Sequence, residues 1–530
     1  MPAPVHLPLR LPSRAGFGIE LHPMKKVFTI LLLALAELAG RAALPQPDLI
    51  AQIHFAGASK ISADTNSAAF TNEFCSAEAL ALRQQTADKL SIWLAGWLQK
   101  HIGANMPDGA AKLRPLFDDL SKAEWLLEAR VSTNGQPELA LIIRLDDVRS
   151  QIWQTAIKSL FAHAPVKWEM NSGGGLFFFN YGADSQKISA GLARIFPEVN
   201  HAWLKLDVNW PRLAQWYPKL KKLGWPETQF TVMARDAQFN LVGKFLFPEP
   251  LTLPLEEWRI PTNTIHQPFV SFTAARGFSA WQNALPWALP CQISPGANEW
   301  FVWALPKMPF QTFVAVPVPN AARALVQVYA QLKPVLEATN RENPFLMHFS
   351  LELTNNQINF QGVPFVSPFL RTLQEPAGQF LFAGGFPNTP RGKPLPPELL
   401  ARLADKNLLF YHWEITAERL PQVLNLSQLG LLLTAHKQLD ANSAAFKWVQ
   451  KIGPALGNTI TEVRQTSPAE MSFTRTAPSG FTAAELYALA NWLNAANFPG
   501  CDLKLPPHPR NKKFPHPVPA NLPAPPAAAK

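Results

Sequence analysis

Cysteine is scarce in this chain. Cys75, Cys291 and Cys501 are the three in 530 residues, far apart and without a C-x-x-C pair, so neither a disulfide framework nor a cysteine-based metal site organises the fold. Three thiols cannot all pair within one chain, and their spacing selects no pair; burial as small apolar residues is the expected fate of at least two. The spacings that carry common chemistry are missing too: there is no HExxH, no GxSxG and no GxGxxG. The triple glycine from Gly173 to Gly175 lacks the Lys-Ser/Thr ending of a phosphate-binding loop and reads as a hairpin turn.

Charge is thin. Only 16% of residues are Asp, Glu, Lys or Arg, and the formal net charge of +10 is carried mainly by the two ends. Residues 1 to 42 hold an excess of three basic groups and residues 505 to 530 an excess of four, which leaves +3 on the rest. That excludes the concentrated basic face of a nucleic-acid binder.

Long apolar runs are absent, with one short exception. Lys25 and Lys26 are followed by an apolar run from Val27 to Ala36, and then by Gly40, Arg41 and Ala42. The run is about half the roughly 20 residues that span a bilayer, so it predicts a cleaved signal peptide rather than an anchor. Cleavage is expected after Ala42. The proline-rich residues before Met24 have no helical or strand period, so translation is expected to start at Met24. The first cysteine after the run is Cys75, which argues against a lipid-modified N-terminus. The chain is therefore read as exported, periplasmic or extracellular, with no membrane span once the leader is removed.

What is present is enough to fill cores: 47% of residues are hydrophobic, with 17 Trp and 35 Phe. The length calls for two domains or a tandem array. A proline-rich stretch carrying Pro248, Pro250, Pro254 and Pro261 places a linker at 251–267, between a first domain at 43–250 and a second at 268–504. The Pro-rich residues 505–530 are read as a disordered tail or spacer.

Periodicity predicts a strand over 49–55, a helix over 77–102, a hairpin over 125–131 and 138–145, and a helix from Asp146 or Asp147 to Phe161 with Val148, Ile152, Trp153, Ile157 and Leu160 on its apolar face. An order of strand, helix and hairpin then recurs. It is read at 202–208, 209–223 and 230–247, at 313–318, 320–338 and 345–363, and at 407–415, 416–429 and 459–475. This is a weak repeat of pattern rather than of identities. Antiparallel hairpins packed against helices define an α+β fold of tandem modules; a parallel α/β fold would put a crossover helix after nearly every strand.

Few residues suggest chemistry. His412, Trp413 and Glu414 form an H-x-E triplet and Pro290 precedes Cys291, but Ser294 stands where a zinc deaminase has its second cysteine. No metal or cofactor is expected. The acidic pairs Asp118 with Asp119, Asp146 with Asp147 and Glu256 with Glu257 read as caps or solvated faces. Trp281, Trp287, Trp300 and Trp303, set among prolines, form the candidate surface aromatic patch. The expected function is a non-catalytic binding or structural protein of a bacterial-type cell envelope, whose partner is a protein or an envelope component. The alternatives are an envelope hydrolase with scattered catalytic residues and a carrier of apolar ligands lined by the Phe177 to Phe179 region.

Overall fold

The computed structural model describes residues 49–500, apart from 103–107, 133–134, 163–166, 183–184, 197–201, 217–223, 278, 280–292, 294–295, 307–310, 343–347, 355, 364–365, 388–391 and 436–438. The expected leader and tail, with Cys291, Cys501, Trp281 and Trp287, lie outside the described residues.

Eighteen strands and twelve helices are described. The first half contributes β1 (Leu49–Phe55), β2 (Trp125–Val131), β3 (Pro137–Arg144), β4 (Trp168–Gly173), β5 (Leu176–Tyr181), β6 (Leu204–Val208), β7 (Glu227–Arg235) and β8 (Gln238–Leu246). The second contributes β9 (Ser271–Arg276), β10 (Glu299–Ala304), β11 (Thr312–Pro317), β12 (Ser350–Leu353), β13 (Gln357–Gln361), β14 (Phe369–Glu375), β15 (Gly378–Gly384), β16 (Leu408–Ile415), β17 (Asn458–Ser467) and β18 (Glu470–Ala477). The helices are α1 (Ala58–Ala63), α2 (Ala68–Phe74), α3 (Ala77–Ile102), α4 (Gly109–Lys122), α5 (Asp147–Phe161), α6 (Ser185–Ile195) and α7 (Trp210–Trp216), then α8 (Ala321–Glu342), α9 (Pro397–Leu403), α10 (Thr416–Ala435), α11 (Ala444–Ile452) and α12 (Ala483–Asn494).

Every strand pairing is antiparallel, as the hairpins predict. Following the partners gives one continuous sheet in the order β4-β5-β3-β2-β1-β6-β7-β8-β18-β17-β16-β9-β10-β11-β15-β14-β13-β12. The halves meet at β8 and β18, paired from Leu246 with Glu470 to Phe239 with Ala477.

Helices cover the sheet where its strands are apolar on both faces. In the first half α3, α4 and α5 pack Leu98, Leu113, Leu116, Trp153 and Leu160 onto Leu141, Ile143 and Phe177. Asp146 caps α5 by accepting from the Arg149 amide, but Val148, predicted on the apolar face, is exposed. The opposite face takes α6 over Leu126, Ala140 and Ile142. In the second half α8 lies on Val316, Ile358 and Leu381. A further layer joins the halves: Ala79 and Leu82 of α3 pack against Leu420 of α10, Phe446, Trp448 and Val449 of α11, and Leu486 of α12.

Residues 251–267, expected as a linker, are anchored to the second half. Trp258, Ile260 and Ile265 pack in its core. The Arg259 amide and Nε donate to Glu299 at 2.8 and 3.0 Å.

The seam between the halves depends on Gly243. It sits opposite Phe230 on β7 and Phe473 on β18, whose rings meet edge to face at 5.5 Å. A Cβ at Gly243 would come within 2.2 Å of the Phe230 ring and 2.7 Å of the Gln229 carbonyl oxygen. Gly243→Ala is therefore expected to destabilise by about 1–3 kcal/mol through overpacking. A urea midpoint equal to that of the wild type would contradict this.

Candidate functional site

Of the four candidate tryptophans, Trp300 and Trp303 lie among the described residues. Trp300 and Trp303 are both on β10, and three residues apart on a strand means opposite faces. Trp303 is 0% exposed and stacks on Phe382 at 5.7 Å within the core of Phe272, Phe301, Phe313 and Phe380. Trp300 is half-buried and packs in the layer under α8. These two are packed because β10 is covered on both sides.

The H-x-E triplet is a socket for a helix. Glu414 is 2% exposed; its Oε1 accepts from the Ala483 amide at 2.7 Å and from the Thr416 hydroxyl at 2.8 Å. Ala483 opens α12, so the carboxylate meets the positive end of that helix. His412 Nε2 lies 3.3 Å from Glu414 Oε2, and its Nδ1 shares a hydrogen bond with Thr273 at 2.8 Å. Arg475 reaches the same end of α12, donating to Glu485 at 2.6 and 2.8 Å, while Thr482 and Glu485 form a capping box. Burial pushes the Glu414 carboxyl up, but His412, the Ala483 amide and Thr416 outweigh it and hold it below the usual carboxylate range. Among the described residues no three His, Cys, Asp or Glu side chains gather as metal ligands.

The other candidates also resolve into packing. Asp119 is buried and accepts from Arg149 and from Trp153 Nε1, tying α4 to α5. Phe177 is fully buried against Trp153 at 5.5 Å, and Phe179 lies 5.4 Å from Phe161. Cys75 is exposed and unpaired.

What stands open is the middle of the sheet. Directly paired residues of an antiparallel sheet share a face. One row therefore runs Lys205, Thr231, Val242, Thr474 and Glu462 across β6, β7, β8, β18 and β17. The adjacent row runs Asp207, Gln229, Lys244, Ser472 and Arg464. On this face Val242 is 47% and Ile460 37% exposed, and Lys205, Lys244 and Thr474 are exposed as well. At the usual inter-strand spacing the bare zone is roughly 20 Å wide.

Its borders are ionic and balanced in sign. Lys205 pairs with Asp207 at 3.1 Å, Lys244 with Glu470 at 2.9 Å, and Arg464 with Asp405 and Glu462 at 2.7 and 2.9 Å. The zone ends where the first row reaches buried residues, His54 on β1 and Tyr411 on β16. His54 lies against the Phe196 ring, and burial lowers its pKa although Glu124, 3.3 Å away, pulls the other way.

No protein-family model, no characterised protein and no solved structure matches this chain. The site therefore rests on its own geometry: the open face carries paired charges, amides and hydroxyls around the exposed Val242 and Ile460. Among the described residues no helix is long and apolar enough to cross a membrane. The face was not found from the sequence because its rows require the pairing of β8 with β18. Its one local signal is the alternation of Phe239, Leu241 and Phe245 with Asn240, Val242 and Lys244.

Proposed function

We propose that the protein is an exported, non-catalytic binding protein of the cell envelope that receives a protein partner on the bare centre of its sheet. The observation that carries this reading is the exposure of Val242 and Ile460 inside a border of paired charges. An apolar centre with a polar rim is the anatomy of a protein–protein interface. The balance of signs disfavours a polyanion such as nucleic acid. Export rests on the leader at residues 24 to 42 and a start at Met24.

We further read the chain as two copies of one module, 43–250 and 268–504, joined by 251–267. Strand pairing supports this: β1 lies between β2 and β6 as β9 lies between β10 and β16, with β3-β5-β4 and β11-β15-β14 outside them. Glu124-Trp125 enters β2 as Glu299-Trp300 enters β10, and Gly57 and Gly277 follow β1 and β9 with φ of 85° and 83°. On this reading a local twofold passes through the Val242–Thr474 pair, at the centre of the open face.

The test uses the full chain in its own cells with a photo-crosslinking side chain placed at Val242 or, as a control, at exposed Val148 on α5. A discrete protein adduct at Val242, absent at Val148 and lost when Thr474→Arg is added, is the expected result. Equal labelling at both positions, or ester or glycoside turnover by the purified protein, would remove the proposal.

A further inference from the structure

Glu73, on α2, is 6% exposed with its Oε2 buried and without a hydrogen-bond partner. The next residue, Phe74, packs on Trp448 of α11 at 5.5 Å. The indole Nε1 of Trp448 and Oε1 of Gln85 on α3 are likewise buried without partners. Elsewhere the seam is well matched: Ala79 and Leu82 of α3 pack on α10, α11 and α12, and Lys89 Nζ donates to the Leu493 and Ala495 carbonyl oxygens at 2.7 and 3.3 Å. An unpaired carboxyl in such a layer costs stability unless it keeps its proton.

The charged groups on the neighbouring elements do not relieve it. Lys60 on α1 is held by Glu124 at 3.1 Å, and Asp64, before α2, accepts from Trp203 Nε1 at 3.0 Å. On α3, Asp88 is paired with Arg114, and Glu78 and Arg83 are half-buried. On α11, Lys447 and Lys451 are exposed. Burial alone pushes the Glu73 carboxyl up, from 4.5 to about 7.

We propose that the contact of α2 and α3 with α11 is a pH-responsive latch between the two halves, closed while Glu73 is protonated and loosened when it ionises. The sign follows from linkage. The closed seam binds the Glu73 proton more tightly than an opened one in which the carboxyl reaches water. The proton-linked stability of closure is full below about 4.5 and is lost as pH rises through about 7. Between those values the closed-to-open ratio falls tenfold per pH unit, about two orders of magnitude in all, and it is level above them.

Hydrogen exchange of the full chain, corrected for intrinsic exchange rates and read from pH 5 to pH 8, tests this. Amides of α3 and α11 are expected to lose about a hundredfold in protection by pH 7.5, while those of β16 and β17 hold steady. In Glu73→Gln, which keeps the shape without the charge, the α3 and α11 amides are expected to show no slope. A flat profile in the wild type, or the same slope in Glu73→Gln, would overturn the latch. If the glutamine variant fails to fold, the wild-type profile decides alone.

Discussion

Trp303→Ala is expected to lower the free energy of unfolding by about 3–5 kcal/mol, the range for removing a large aromatic from a packed core. The ring is enclosed by Phe313 at 5.6 Å and Phe382 at 5.7 Å, with Phe272, Phe301 and Phe380 in the same cluster, and truncation leaves a cavity that strands β9, β10, β11 and β15 would have to collapse to fill. Trp300→Ala, on the half-buried side of the same strand, is expected to cost about 1–2 kcal/mol, because its site is already open to water on one side. Urea midpoints of both variants separate core from surface: a Trp303→Ala loss under about 1 kcal/mol would return this residue to the exposed patch that its proline-rich setting suggested.

The contrast between these two tryptophans shows how far the sequence carries the fold. The hairpins β2-β3, β4-β5, β7-β8, β12-β13 and β17-β18 were legible because their strands are joined by short turns, and the turn at Gly174 and Gly175 has the positive φ that glycine supplies. The helix over 77–102 was legible from its period. Strands β9, β10, β14 and β15 were not. Most residues of β9 and β10 are buried, so β10 reads as a run of large apolar side chains with no alternation, and the prolines nearby made that run look irregular. Val148 misled in the other direction, since a valine one position after the first residue of a helix need not face its core. The H-x-E triplet was visible locally, but its role depends on an amide 69 residues away. The open face depends on pairing between strands such that Asn240 and Thr476, 236 residues apart, touch. Short-range pattern identifies elements; contacts of that separation assemble the site.

Glu414→Ala is expected to cost about 3–5 kcal/mol, comparable to breaking a buried charged pair. The truncation removes the acceptor for the Ala483 amide and the Thr416 hydroxyl and leaves His412 facing an apolar methyl, all beneath the first turn of α12. Near-native circular dichroism with a midpoint lowered by this amount is the expected pattern, and loss of protection in α12 ahead of the sheet would identify the socket as the cause. The pH dependence gives an independent reading. The Glu414 carboxyl is depressed below the usual carboxylate range when folded, so its contribution is present above the ordinary pKa of 4.5 and is lost as pH falls through the depressed value. Wild-type stability should therefore decline on acidification below about pH 4.5, and Glu414→Gln should decline less steeply. Glu73 acts with the opposite sign, costing stability as pH rises from 4.5 through about 7. The two buried acids stand at different places in the helical layer, Glu414 beneath the first turn of α12 and Glu73 on α2, so Glu414→Gln should flatten the acid limb of the stability profile and leave the alkaline limb intact, while Glu73→Gln should do the reverse. A single variant that flattened both limbs would mean that α12 and the α2–α3 seam open as one unit.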